Sequence, residues 1–241
     1  MKKLLFVIAT TLIASTALAQ SAFEGFYGQI ATGYESNNFS SISIPWSEPG
    51  IGSGGGSASN QSSSGAPLVL GLGYNYAVAE KYLIGVGADY SAISQSTGNF
   101  SWKATYNGAM IGTSANSVSY KVSNRVNIFI TPSYVLSRDS LIYIKAGYSS
   151  EQLQYSQGAD SVLLFTNNSS ASKNINGYIL GLGYKQMITQ GFYGFAEGNY
   201  MAYGNSTLSV TNATVNASPT TTSPSQSVSA YNFLVGIGYK F

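Results

Sequence analysis

The amino-acid sequence predicts an all-β fold, an eight-stranded antiparallel up-and-down β-barrel that crosses a membrane. Only 8% of the 241 residues are charged, against about 25% in ordinary soluble domains, while tyrosine (19) and glycine (27) are abundant. After the first 19 residues no run of 18 apolar residues follows, so the sequence offers no membrane helix. Instead, eight segments alternate apolar and polar residues with a period of two, which is typical of strands.

The first 19 residues, MKKLLFVIATTLIASTALA, have the pattern of a cleavable signal peptide. Two lysines precede a short apolar stretch that closes on Ala17-Leu18-Ala19, a small-x-small cleavage pattern. We therefore expect a signal peptide at 1–19 and one barrel domain at 20–241. The formal charge of +2 comes from Lys2 and Lys3, so the rest of the chain has no basic face for nucleic acid.

Each of the eight segments sets bulky apolar residues against small or polar ones. The first four segments lie at 23–35, 67–78, 82–92 and 117–136. Their apolar faces include, in the same order, Phe26 and Ile30, Leu70 and Leu72, Ile84 and Val86, and Val126 and Ile128. The last four segments lie at 141–153, 174–187, 191–203 and 231–241. Their apolar faces include, in the same order, Ile142 and Ile144, Leu180 and Leu182, Phe192 and Ala196, and Phe233 and Val235. In the fourth segment the alternation groups Val122 with the apolar face and Lys121 with the opposite face. Pro132 donates no ladder hydrogen bond, which predicts a bulge or local distortion there.

The connections between segments alternate in length. Short turns fall near 79–81, 137–140 and 188–190, and long polar loops fall near 36–66, 95–116, 154–173 and 204–227. Short turns at one end and long loops at the other are typical of an up-and-down membrane barrel. The loop sequences GIGSGGGSASNQSSSG and VNASPTTTSPSQS show no apolar pattern, so we expect flexible surface there.

The apolar face is expected to point outward to lipid, because the interior of an eight-stranded barrel is only wide enough for side chains. Aromatic residues cluster beside the predicted short turns, where a girdle would meet the membrane–water interface. This predicted girdle comprises Tyr74, Tyr76, Tyr82, Tyr134, Tyr184 and Phe192, together with Tyr239.

The opposite face carries charged residues into the predicted lumen: Asp89, Arg125, Lys145, Glu151, Lys185, Glu197 and Lys240. A low-dielectric interior does not hold such charges unpaired. We therefore expect a mid-barrel ion-pair cluster of Asp89, Lys145 and Glu197, with Arg125 reaching it from above. The cluster either plugs a closed barrel or gates a narrow pore, and the small diameter favours the plug.

Several kinds of chemistry are disfavoured by the residues. There is no histidine and no cysteine, so the usual general base and thiolate metal ligands are missing. The glycines of GLGYNY and GVGADY lie within strands and precede no helix, so they do not form a nucleotide loop. The sequence therefore predicts a protein that is not an enzyme and that binds neither a cofactor nor a metal.

The pattern resembles the outer-membrane β-barrel family that includes the OmpA-like transmembrane domain and the opacity-type surface antigens of Gram-negative bacteria. The resemblance rests on the opening strand GFYGQIATGY, the repeated LGLGY at 70–74 and 180–184, and the final VGIGYKF. Gly236, Tyr239 and Phe241 match the family's C-terminal assembly signal, although Leu234 replaces the polar residue usual at its start.

The resemblance implies an integral, exported outer-membrane protein that acts in surface interaction, adhesion or envelope integrity. The implied partners are outer-membrane lipids, the barrel-assembly machinery and a host-surface or phage ligand bound by the four loops. We expect a monomer that binds no nucleic acid. The alternative function is a narrow, porin-like passive pore gated by the lumen charges.

Overall fold

The computed structural model describes residues 21–215 and 218–241. Eight long strands run in chain order: β1 (Gly25–Ser43), β2 (Leu68–Ala79), β3 (Tyr82–Ser91), β4 (Val118–Ser137), β5 (Ser140–Gln157), β6 (Ser169–Met187), β7 (Phe192–Thr207) and β8 (Ser225–Lys240). The predicted signal peptide at 1–19, with Gln20, lies outside the described residues. Within the described ranges, no helix is long and apolar enough to cross a membrane.

The eight strands close into one antiparallel ring. Each strand pairs with the next along the chain, and β8 returns to β1 in a register that runs from Tyr27–Lys240 to Phe39–Val228. Closure satisfies the backbone groups that an open sheet edge would expose to lipid. The predicted eight-stranded up-and-down fold is confirmed.

Residue-by-residue alternation along β6 shows which face meets the outside. Tyr178, Leu180 and Leu182 are exposed, whereas Ile179 and Lys185 are buried in the interior. The apolar set therefore faces outward in the barrel wall, as the small interior volume predicted.

Exposed aromatic side chains form two belts on the outer surface. The belt beside the short turns includes the edge-to-face ring pairs Phe26–Tyr74, Tyr82–Tyr134 and Phe192–Tyr239. A second belt lies toward the long loops and consists of Tyr34, Tyr90, Tyr148, Tyr178, Tyr200 and Tyr231.

The spacing of the belts matches the thickness of a bilayer core. Tyr231 and Tyr239, both outward-facing on β8, are eight residues apart. At about 3.3 Å per residue and a strand tilt of about 40°, this places the belts roughly 20 Å apart along the barrel axis. Adding the rings themselves approaches the apolar band of about 25 Å that membrane barrels present to lipid.

One predicted face assignment is wrong, and a bulge in β4 explains it. Asn124 adopts a positive φ of 53°, and the pairing of β4 with β5 shifts by one residue between Ser123 and Val126. The shift reverses the alternation, so that Val122 points inward with Arg125, while Lys121 is exposed. The bulge expected at Pro132 does not form, because Pro132 stays in register with Ile84 of β3. The local distortion expected there is present, since the ladder between β4 and β5 omits Thr131 and Pro132 between the pairs Ile130–Ala146 and Ser133–Tyr143.

The interior is filled by larger side chains than expected. Phe23, Tyr27, Tyr143, Tyr193 and Phe195 belong to a buried core at the short-turn end. Glycines make room for these rings, since an added Cβ at Gly238 would overlap the Tyr193 ring and one at Gly236 would lie 2.6 Å from the Phe195 ring. The glycines of the inner face therefore leave room for aromatic rings that extend into the lumen from neighbouring strands.

The described parts of the long loops carry more regular structure than their composition predicted. The strands extend past the outer tyrosine belt, and the loops between them add eight short strands: Trp46–Glu48, Gly52–Ser57, Gln61–Gly65, Gln95–Ser96, Lys103–Tyr106, Ala109–Thr113, Val210–Asn212 and Thr220–Thr222. We call this assembly, with the loops at 44–67, 92–117, 158–168 and 208–224, the cap.

The cap has its own apolar core, which continues the filling of the upper barrel. Phe39, Tyr120 and Tyr155 are fully buried, with the Phe39 and Tyr120 rings stacked at 5.1 Å. The glycine-rich strand Gly52–Ser57 belongs to the cap because two tryptophans pack against it. A Cβ at Gly54 would lie 2.6 Å from Trp46, and one at Gly56 would overlap the Trp102 ring.

Candidate functional site

The structure brings Asp89, Lys145 and Glu197 together at mid-height in the lumen. Lys145 Nζ donates to Asp89 Oδ2 at 2.7 Å and to Glu197 Oε1 at 2.9 Å. Asp89 lies on β3, Lys145 on β5 and Glu197 on β7, so the lysine spans strands that are not neighbours in the ring. Lys145 is 1% exposed and its ammonium also lies 4.1 Å from the centre of the Phe129 ring. We call these three residues the lower cluster.

Neighbouring side chains complete the hydrogen bonding of the two carboxylates. Asn127 donates to Asp89 Oδ1 at 2.6 Å, and Tyr143 donates to Glu197 Oε2 at 2.6 Å. Asn199 donates to Glu197 Oε1 at 2.7 Å. The two carboxylates share a single lysine, so the lower cluster carries one formal negative charge that these donors help to stabilise.

Arg125 does not reach the lower cluster and instead organises a second cluster nearer the long loops. Its guanidinium donates to Glu151 Oε2 at 2.7 Å, to Glu35 Oε2 at 2.5 Å and to Asn37 Oδ1 at 2.6 Å. The bulge at Asn124 aims Arg125 into this position. We call Arg125, Glu35, Glu151 and Asn37 the upper cluster.

Sequence reasoning did not pair Glu35 or Asn37 with Arg125. The sequence pattern does place Glu35 as a candidate partner, because the alternation of β1 puts it on the inner face near the end of the strand that approaches the long loops. Asn232 bridges the two levels, accepting from Asn199 at 2.9 Å and donating to Glu35 Oε2 at 3.3 Å. The lumen therefore holds one connected polar network with two ion-pair levels.

Lys185 lies below the lower cluster, toward the short turns. It makes no ion pair within the described residues, and its ammonium lies over the Tyr27 and Tyr193 rings at 4.1 and 4.9 Å. Aromatic faces attract a cation in this geometry and replace a carboxylate partner. Lys240, the other lysine assigned to the lumen, is only half-buried at the barrel mouth.

The residues assigned to the girdle and to the assembly signal lie at the short-turn end. Tyr76, Tyr82, Tyr134, Tyr184 and Phe192 are exposed, while Tyr74 is half-buried against Phe26. Phe241 is 76% exposed, and its ring meets the Tyr239 ring edge-on at 5.1 Å. The backbone N–H of Phe241 donates to the Phe26 carbonyl at 2.9 Å. Gly236 faces the lumen beside Phe195.

A buried carboxylate orders one loop of the cap. Asp160 Oδ2 accepts from the Ala115 amide and the Ser117 hydroxyl, both at 2.7 Å, and Oδ1 accepts from the Val162 and Leu163 amides at 2.9 and 3.0 Å. Partial burial alone would raise the pKa of this carboxyl, but the hydrogen bonds outweigh it and hold the pKa below its usual range.

In the described ranges, no group of three or more His, Cys, Asp or Glu residues is placed to hold a metal ion. The carboxylates of both lumen clusters are engaged by lysine or arginine and by amide or phenol donors.

No protein-family model matches the chain, and no curated protein matches it. Among solved structures, the outer membrane protease OmpT of Escherichia coli has a TM-score of 0.52 at 12% identity, covering 94% of this chain and 100% of OmpT. The outer membrane protein OprG of Pseudomonas aeruginosa has a TM-score of 0.50 at 14% identity, covering 90% of this chain and 96% of OprG. This chain has the outer-membrane β-barrel fold.

A third similar structure is Ail, the attachment invasion locus protein of Yersinia pestis, with a TM-score of 0.42 at 13% identity. It covers 90% of this chain and 99% of Ail, but at this score it carries no argument. The identities to OmpT and OprG are equally low, so those likenesses establish the fold alone, and neither protease activity nor any other activity transfers with them.

Proposed function

We propose that this chain is an integral outer-membrane protein that acts in adhesion or envelope integrity through its cap, with a lumen closed to ions. The outward apolar surface between the two aromatic belts supports the membrane placement. The same proposal includes outer-membrane lipids and the barrel-assembly machinery as partners, and a monomeric state.

The observation that carries the proposal is the filling of the lumen at successive heights. From the short turns upward come the aromatic core with Tyr27 and Tyr193, the lower cluster, the upper cluster, and the apolar layer of Phe39 and Tyr120. Lys145, Arg125, Phe39 and Tyr120 are each at most 4% exposed. A passage would require several of these layers to move together, so a structural and interaction role fits better than transport.

Non-enzymatic function is part of the proposal. The chain has no histidine, and the lumen carboxylates Asp89 and Glu197 share Lys145, so neither is free to act as a general base. OmpT is a protease by name, but no residue set of this lumen supports hydrolysis.

The narrow pore remains the alternative, and one observation favours it. Both cluster levels carry a formal excess of one negative charge, which would select cations if the layers opened.

Single-channel recording of purified protein in planar bilayers separates the two functions. The proposal expects no steady conductance, from the native protein or from the Lys173→Ala control on the exposed surface of β6. Steady conductance that Lys145→Ala abolishes or enlarges would establish the pore and contradict the closed lumen.

The interaction role is tested with cells that display the protein. The expected partner is a host-surface or phage ligand bound through the cap. Replacing residues 46–57 by a short Gly/Ser turn should abolish binding of the displaying cells to that ligand, while barrel formation persists. Binding that survives this replacement, and the matching replacement of 103–113, would contradict an interaction role for the cap.

A further inference from the structure

The cap contains a small apolar cavity, open to solvent on one side, that the proposed function does not use. Its volume is about 150 Å³. Trp46, Trp102 and Phe165 form buried walls, and Ile51 and Ile111 stand exposed at its rim. Trp46 and Trp102 are the only two tryptophans of the chain. The lining residues come from all four loops of the cap, so the cavity exists only because the cap is folded.

One carboxylate breaks the apolar lining. Glu48 Oε2 accepts from the Thr220 hydroxyl at 2.9 Å. Glu48 Oε1 is buried, and among the described residues no donor lies within hydrogen-bond distance of it. A buried acceptor without a partner is costly, and more so when it carries charge. Oε1 itself is too buried for a ligand to contact, but Glu48 is the one charged residue among the described residues of the cavity lining, so its carboxylate gives the cavity a negative charge that no lining cation balances.

The donors of the lining are already committed. The Trp46 indole N–H donates to the Thr105 carbonyl at 3.1 Å, and the Trp102 indole N–H donates to Gln157 Oε1 at 3.3 Å. The Thr220 hydroxyl is used by Glu48. The cavity side chains therefore offer a negative acceptor and aromatic faces but no spare donor, and both features favour a cation.

We propose that the cap binds a small organic ammonium compound with an apolar body, its ammonium group pairing with the Glu48 carboxylate and its body lying against Trp46 and Trp102. The size is set by the cavity, because an apolar cavity of about 150 Å³ is large enough for a benzene-sized group. The proposal deepens the proposed interaction role of the cap, on which it rests, by giving the cap a ligand class.

Tryptophan fluorescence tests the proposal directly, since both indoles line the cavity. Protein in non-ionic detergent micelles is titrated with benzylammonium, with benzyl alcohol and with benzoate, which share a ring and differ in charge. Benzylammonium should give a saturable change in emission, benzyl alcohol a weaker one and benzoate none. Glu48→Gln should weaken benzylammonium at least tenfold, while Glu80→Gln, an exposed carboxylate at a short turn, should leave its affinity unchanged.

The outcomes are separable from those of the proposed function. Equal responses to benzylammonium and benzoate, or no response to either, would overturn the ligand proposal even if the lumen proves closed. If Glu48→Gln fails to fold, as judged by its gel migration, the native protein still tests the ligand proposal, because benzylammonium and benzoate share a ring and carry opposite charges. Steady conductance in planar bilayers would contradict the closed lumen without altering the titration.

Discussion

Replacing Lys145 by methionine removes the cation that Asp89 and Glu197 share. The side chain is of similar length, so the main change is the loss of charge and of two hydrogen bonds at 2.7 and 2.9 Å. Both carboxylates are at most 6% exposed and would be left without a counter-ion. Removing one partner of a buried ion pair costs about 3–5 kcal/mol, so we expect the free energy of unfolding to fall by that amount.

A triple variant separates charge from packing. Lys145→Met combined with Asp89→Asn and Glu197→Gln leaves the lower cluster neutral, and neutral replacements of buried ion pairs often cost little. We expect the triple variant to recover most of the lost stability. Lys173→Met, at an exposed position of β6, is the surface control and should change stability by less than about 0.5 kcal/mol.

The assay is urea unfolding in detergent micelles, followed by intrinsic fluorescence and checked by gel migration of unheated samples. The midpoint and slope together give the free energy of unfolding. The reasoning is refuted if Lys145→Met costs less than about 1 kcal/mol, well below the buried-pair range. It is also refuted if the triple variant is no more stable than the single one.

Three further predictions follow from other parts of the molecule. In the cap, Gly56→Val should displace Trp102 and red-shift tryptophan emission while the barrel still forms, whereas Gly98→Ala, with nothing within 4 Å of its added Cβ, should not. The Asp160 carboxyl has a folded-state pKa below its ordinary value of 3.8. The ionised carboxylate therefore stabilises the cap fully above its ordinary pKa, and this stabilisation is lost as the pH falls through the folded-state pKa. Protection of the Val162 amide against hydrogen exchange, measured relative to an unstructured amide at the same pH, should therefore fall in acid, and Asp160→Asn should remove this pH dependence; protection that does not change in acid would contradict it. At the barrel mouth, Phe241→Ser or a polar tag added after Phe241 should reduce outer-membrane levels more than Phe26→Ser does, and normal levels of the tagged protein would exclude an assembly role.

The barrel wall was predictable because one physical rule governs all of it. A strand with lipid on one side and a narrow lumen on the other must alternate at every residue, as β8 does throughout and β6 does from Asn174 to Met187. The rule failed in β4, where the bulge at Asn124 reversed the alternation for Val122. A bulge depends on pairing with β5, which the sequence of β4 alone does not reveal.

The lower cluster followed from the same alternation, combined with the heights of Lys145 and the two carboxylates along their strands. The predicted partners of Arg125 are wrong because its guanidinium, aimed by the bulge at Asn124, binds Glu151 and also Glu35, which lies on a strand distant in sequence. The cap was missed for a different reason. Gly54 and Gly56 look like linker residues until Trp46 and Trp102 pack against them, and that long-range packing has no local sequence signature.

The central claim is that the outward face between the two tyrosine belts meets lipid. The chain has no native cysteine, so single Leu180→Cys, Leu182→Cys and Ser172→Cys variants can each carry one spin label on the same face of β6. In lipid vesicles, the labels at 180 and 182 should be relaxed more by oxygen, which concentrates in the bilayer, than by a water-soluble nickel chelate. The label at 172, beyond the outer belt, should show the reverse. Nickel-dominated relaxation at 180 and 182 would contradict a membrane-spanning barrel.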